Sequence, residues 1–139
     1  LIVRSTQVHA LMPMMQFSVA PWRILDKKHF QAVIDAILIR EKFKKTILNL
    51  AKEASLNGEP IIRSMEYVFP NQGYALISDQ FMLGNNILVA PFLEKGEGTR
   101  KIILPMGNWI SDNGKIFSGN KIIETKVPLN RIPYFELVE

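Results

Sequence analysis

The sequence predicts an α+β fold, and three features point to it. Residues 26–57 carry apolar side chains at helical spacing between a capping Asp and an Asn-Gly stop. Beyond residue 80 the chain breaks into short apolar runs separated by Gly, Asn and Pro. Within "FMLGNNILVAPF" (81–92), the run Ile87-Leu88-Val89-Ala90 is apolar at every position. Such a strand is usually covered on both faces. A strand, a long helix and a strand, followed by a small antiparallel β-sandwich-like domain, accommodates all three.

The elements follow in order. "ALMPMMQFSVAPW" (10–22) is apolar, with Pro13 and Pro21 as punctuation, and predicts a short buried strand followed by a loop. Asp26 is a good N-cap, and Phe30, Val33, Ile34, Ile37 and Leu38 follow at helical spacing. After Leu38 the stripe slips and resumes at Phe43, Ile47, Leu50, Ala51 and Ala54, which fits a bend near Arg40 or two helices in tandem. Asn57-Gly58 supplies a left-handed stop and Pro60 blocks resumption. A helix over most of 27–57 is about 45 Å long at 1.5 Å per residue. That is too long to be fully covered by a body of 139 residues. "PIIRSMEYVF" (60–69) is expected as a strand with Ile61, Arg63, Met65, Tyr67 and Phe69 on one face. The first half then reads as a right-handed βαβ unit of the kind that builds α/β barrels. Runs at 87–93, 100–104, 108–111, 115–117, 121–127 and 132–138 predict an antiparallel sandwich or barrel. Gly84 and Asn85 make the tight turn before Ile87, since both residue types tolerate positive φ.

Composition narrows the function classes. The 139 residues are 47% hydrophobic and 22% charged, which argues against disorder. There is no Cys, hence no disulfide or thiolate chemistry, and any zinc would rest on two His and carboxylates. The net charge of +4 is mild, and its densest patch, "REKFKK" (40–45), reads as a solvated helix face rather than a surface for nucleic acid or anionic membrane. No apolar run reaches the roughly 18 residues a spanning helix needs. Without an initiator Met the chain reads as a piece of something longer, and its compartment stays unassigned.

Four stretches, in order, resemble the C-terminal part of family-31 glycoside hydrolases. This is the α-glucosidase and α-xylosidase family of retaining enzymes on a (β/α)8 barrel. "ALMPMMQFSVAPW" resembles a barrel segment with a proline, an Arg-x-His and a later Glu-Pro-Trp. "NGEPIIRSMEYVFP" resembles Gly-x-Pro-Val-x-Arg-Pro-Leu before a Phe-Pro. "DQFMLGNNILVAPFLEKGEGTRKIILPMGNW" is similar to Gln-Phe-Met-Leu-Gly-Asp-x-Leu-Leu-Val-Ala-Pro followed by an Arg, a Leu-Pro and a Gly-x-Trp, and "VPLNRIPYF" to Pro-Leu-x-x-Ile-Pro-Val-Phe. The resemblance implies that residues 1–79 are the end of the catalytic barrel and 80–139 a proximal C-terminal β-domain. Ile87–Ala90 is then a seam between the two.

The same resemblance implies what the chain lacks. Retaining glycosidases need two carboxyl groups about 5 Å apart. In this family both are Asp residues on earlier barrel strands, so no catalytic residue is expected here. Asp26, Asp35, Glu41, Glu53, Glu59, Asp79, Glu94, Glu97 and Asp112 read as surface or turn charges, and Glu66 as structural or an ion-pair partner. The family's sugar-contacting Arg-x-His falls on Gln16 and Ser18, and its Glu before Pro-Trp on Ala20. Gln16 and Ser18 are the candidate substrate-binding residues. They keep hydrogen-bonding capacity and lose the cation. Trp22 is the third candidate, as a stacking platform. Arg63 is expected in a buried ion pair, Phe17 in the core, and Met12, Met14 and Met15 at a packed strand end. His9 and His29 have no partner at metal spacing, so neither metal nor cofactor is expected, and no nucleophile elbow is present.

The expected function is therefore that of a C-terminal fragment of a retaining α-glycosidase, inactive alone. Its partner in the intact enzyme is an α-linked oligosaccharide or glycoside. The alternative is a non-catalytic carbohydrate-binding or scaffold module. Exposed barrel surfaces, with Met14, Phe17, Ile61, Met65, Ile34, Leu38 and Ile47 as candidates, predict self-association of the fragment.

Overall fold

In the computed structural model, which describes residues 1–138, the chain opens with a helix. α1 (Ile2–Ala10) buries Val3, Arg4, Thr6, Gln7 and Ala10. The two long polar side chains on that face are bound far along the chain. Arg4 Nη1 donates to Gln7 Oε1 at 2.7 Å and Nη2 to the Gly96 carbonyl at 2.6 Å. Gln7 Nε2 donates to the Leu129 carbonyl at 2.7 Å. The Phe92 ring lies 4.9 Å from the Arg4 guanidinium, and burial lowers that group's pKa while Glu97 opposes the shift.

The strand expected within residues 10–22 is absent. Leu11 is fully buried, but 13–20 has no regular structure and no strand lies beside it. Backbone without a ladder must find other partners, and Pro13 and Pro21 have no N–H to give. Arg40 takes several of these carbonyls instead. Met14 is 80% exposed, so the expected packed end is not formed, and Phe17 is also outside the core. Pro21 opens a single helical turn, α2 (Pro21–Ile24).

α3 (Lys27–Asn57) is one helix of 31 residues, not two in tandem. Asp26 Oδ1 accepts from the His29 N–H at 2.9 Å, and Gly58 ends the helix at φ +78°. Its buried face runs Ala32, Val33, Ala36, Phe43 and Ile47. Arg40 stands four residues after Ala36 and three before Phe43, so the apparent slip is a polar residue on the inward face. Ile47, expected to be exposed, is buried there.

β1 (Ile62–Arg63) is all that remains of the strand expected over 60–69. Ser64 Oγ accepts from the Tyr67 N–H at 3.1 Å and caps the short α4 (Met65–Val68). The helical turn sends Met65 into the core and leaves Tyr67 exposed, so the expected common face does not exist. β1 pairs antiparallel with β2 (Phe81–Leu83). No strand precedes α3, and every pairing among the described residues is antiparallel, so the expected βαβ unit is not formed.

The later strands match the short apolar runs: β3 (Ile87–Val89), β4 (Gly98–Leu104), β5 (Asn108–Ser111), β6 (Ile116–Ser118), β7 (Lys121–Val127) and β8 (Tyr134–Val138). One sheet has the order β1-β2-β3-β8-β5-β6; β4 and β7 pair in a second. The fold is α+β, with helices packed on antiparallel sheets.

β3 shows why its sequence is apolar throughout. Ile87 and Val89 join a core with Ala10, Leu11, Ala36, Phe43 and Ile47 from the helical layer. Leu88 and Ala90 join another with Ile102 and Leu104 of β4, together with Trp109 and Phe135. Helices cover one face and the two-stranded sheet the other. Gly84, at φ +61°, makes the turn before β3, and a Cβ there would meet Leu50 Cδ2 at 2.9 Å. Asn85 does not adopt positive φ; its side chain accepts a hydrogen bond from Arg63.

Two polar clasps hold the second sheet. Gln80 Nε2 donates to the Ile103 carbonyl at 2.8 Å, while its Oε1 accepts from the Ile103 N–H at 3.1 Å. The side-chain amide stands where a third strand would pair with β4. Arg131 grips Asp112 through two hydrogen bonds of 2.7 and 2.8 Å and donates to Thr125 Oγ1 on β7 at 2.7 Å.

Candidate functional site

Segment 13–20 leaves the C-terminal end of α1 and folds back beside it. Between segment and helix lies a cleft of about 240 Å³, to which Gln16, Phe17 and Ser18 contribute from one side and Ser5, Thr6 and His9 from the other. Gln16 and Ser18 are thus brought together. Trp22 is not part of this lining; it projects from α2, 67% exposed.

His9 lines the same cleft, where the sequence alone does not place it. It has no partner at metal spacing, and without the helix over residues 2–10 no sequence signal sets it opposite Gln16. Its Nδ1 lies 2.7 Å from the Ser5 carbonyl one helical turn earlier. A carbonyl only accepts, so Nδ1 carries a proton, and in the neutral ring Nε2 is the acceptor. The cleft therefore offers an imidazole, an amide and hydroxyls, with no carboxylate in its lining. Such a set can hydrogen-bond an uncharged ligand rich in hydroxyl groups. It contains no pair of carboxyl groups.

The carboxylates lie elsewhere, most of them engaged. Asp79 binds Arg100 at 2.9 Å, Asp112 binds Arg131, and Glu136 binds Lys42 at 2.9 Å. Glu66 accepts from the N–H groups of Asn71 and Tyr74 at 2.8 and 3.2 Å, a structural role. Arg63 is buried, donates to the Pro60 carbonyl at 2.7 Å and pairs with Glu59 at 3.6 Å, but the Glu59 side chain is 40% exposed, so the expected ion pair is buried on the arginine side alone. Glu53 and Glu59 line one polar notch with Tyr67. Tyr67 Oη donates to Glu59 Oε2 at 2.8 Å, and that bond raises the phenol's pKa above its ordinary value. Among the described residues no cluster of three or more His, Asp or Glu could hold a metal ion, and no helix is long and apolar enough to cross a membrane.

Comparison with known proteins bears on what this arrangement belongs to. A sequence profile of the glycosyl hydrolase family 31 C-terminal domain matches residues 58–136. The myogenesis-regulating glycosidase of Mus musculus is 36% identical over 142 aligned positions, covering 97% of this chain and 19% of that protein. An alpha-glucosidase of Saccharolobus solfataricus is 35% identical over 97 positions, covering 68% of this chain and 14% of that one. Among solved structures, a GH31 alpha-xylosidase from a soil metagenome, complexed with xylose, superimposes with a TM-score of 0.85 at 27% identity. That match covers 98% of this chain and 24% of the xylosidase. The chain thus spans less than a quarter of the length of each of these proteins.

Proposed function

The chain belongs to glycoside hydrolase family 31, and from that premise we propose that it is the C-terminal portion of a retaining α-glycosidase acting on α-linked oligosaccharides or glycosides. Residues 1–79 contribute the end of a (β/α)8 catalytic barrel, and residues 80–139 form the proximal β-domain behind it. The irregular segment beyond Pro13, which has no ladder partner here, lies beside upstream barrel strands in the intact enzyme. Gln16 and Ser18 contact sugar hydroxyls, with His9 Nε2 as a third polar group and Trp22 as an apolar platform at the rim. Nucleophile and acid/base belong to the upstream part of the enzyme, so the chain by itself binds without cleaving.

The observation that carries this reading is the cleft: hydrogen-bonding groups on one helix and one loop, set among apolar Ile2, Met15, Phe17 and Val19, with no carboxylate in the lining. Hydrolysis with retention requires covalent capture and proton transfer by two carboxyl groups. Purified 139-residue chain is expected to release no aryl alcohol from aryl α-glucosides or α-xylosides. Turnover that disappears when one of its own acids is replaced would overturn the proposal. Reading the coding sequence upstream of Leu1 separates an enzyme portion from a free-standing carbohydrate-binding module: an Asp-bearing barrel strand there decides for the enzyme.

A further inference from the structure

We infer that Arg40, in the middle of α3, is the positioning residue for the segment that carries Gln16 and Ser18. This rests on the reading of those two residues as sugar contacts. The end of a helix leaves carbonyls without intrahelical partners. Past α1 these belong to residues whose chain then runs into a segment with no regular structure. One guanidinium gathers them. Arg40 Nη1 donates to the Met12 carbonyl at 2.6 Å, to Ala10 at 3.1 Å and, more weakly, to His9 at 3.4 Å. Nη2 donates to the Pro13 carbonyl at 2.9 Å.

Three features make this a positioning device. The donor is rigid: a planar guanidinium presents its N–H groups in a fixed fork. Its base is rigid too, since Arg40 sits on the helix face between buried Ala36 and Phe43. And it is the last anchor: among the described residues, no hydrogen bond from elsewhere reaches Met14–Val19, and the next backbone bond is Arg23 N–H to Ala20. Gln16 lies three residues beyond Pro13, so the geometry of the Arg40 bonds is inherited by the side chains lining the cleft. His9, whose carbonyl Arg40 also touches, is held in the same frame. An arginine on an otherwise apolar helix face is thereby explained.

The test uses the 139-residue chain as wild type, Arg40→Met, Arg40→Lys, and Lys44→Met as a control on an exposed turn of the same helix. Chymotryptic cleavage after Phe17 reports the order of the segment. Titration with glucose or xylose, followed on the Gln16 side-chain amide by NMR, reports the cleft. Arg40→Met should accelerate cleavage after Phe17 about tenfold and weaken the sugar-induced shift by a similar factor. The amide spectrum of β3 and β8 should remain native. Arg40→Lys, with one ammonium in place of the fork, should recover part of both effects, and Lys44→Met neither. Wild-type cleavage and wild-type titration in Arg40→Met would overturn the inference. If Arg40→Met loosens the segment but the wild-type chain shows no sugar shift, Arg40 keeps its role over residues 12–18 and the assignment of Gln16 and Ser18 to a sugar falls.

Discussion

Replacing Gln80 with Ala should destabilise the chain out of proportion to the atoms removed. Gln80 is 3% exposed, and its amide satisfies both the N–H and the carbonyl of Ile103 on the edge of β4. An unmade hydrogen bond costs more than a made one contributes, because a desolvated group left without a partner loses about 1–3 kcal/mol. Ile103 is half-buried, so water reaches its orphaned groups in part and the lower half of that range applies to each. Two such groups give about 2–4 kcal/mol, a large share of the ~5–15 kcal/mol that holds a typical domain folded. Urea unfolding of wild type, Gln80→Ala and Gln80→Met measures this directly. Methionine restores the volume but neither bond, so it should recover only the packing part. The Ile103 amide should also lose its protection against hydrogen exchange. A Gln80→Ala midpoint equal to wild type, or full recovery by Gln80→Met, would show that the clasp contributes nothing beyond packing.

Two further outcomes can be measured on the same material. Glu59→Ala should lower the titration midpoint of Tyr67, followed by phenolate absorbance or NMR, because the bond to Glu59 raises that pKa. With the folded value raised, the bond's contribution is complete below the unfolded tyrosine's pKa and fades as pH rises through the folded one; an unmoved midpoint would remove the Glu59 bond as the cause. The chain should also self-associate at micromolar concentration through residues 10–70, where Met14, Trp22, Ile24 and Leu38 are all more than half exposed. Sedimentation equilibrium giving a 15.9 kDa monomer throughout would count against it.

The legible parts of this fold are those whose determinants are local. Asp26 and Gly58 announce the ends of α3 because caps are read within one turn of chain, and Ile87–Ala90 announces burial on both faces because alternation is read within four residues. α1 escaped because its inward face includes Arg4 and Gln7, whose partners lie about Gly96 and Leu129. No pattern within nine residues can report a carbonyl so distant in sequence. Arg40 disguised one helix as two for the same reason. Over 60–69 the alternation was real, yet a single serine hydroxyl turned the backbone helical after Arg63. For the cleft, Gln16 and Ser18 came from motif position, and the structure sets them in one lining. His9 needed α1 to exist before it could face them.

The placement of β3 bears on how the protein is made. Leu88 lies opposite Phe135 on β8, and Ile132 and Tyr134 complete the core beneath Ala10, Leu11 and Phe43. Within this chain α1 and α3 leave the ribosome before the strands that cover their shared core face. Their cover begins with Leu83, Ile87 and Val89 and is completed only by Ile132 and Tyr134. Neither core can be finished ahead of the other, because one strand walls both, and contacts so far apart in sequence close slowly. Truncation near residue 130 should therefore loosen the packing of α1 and α3 as well as that of the sheets, because Ile132 and Tyr134 belong to the helical core.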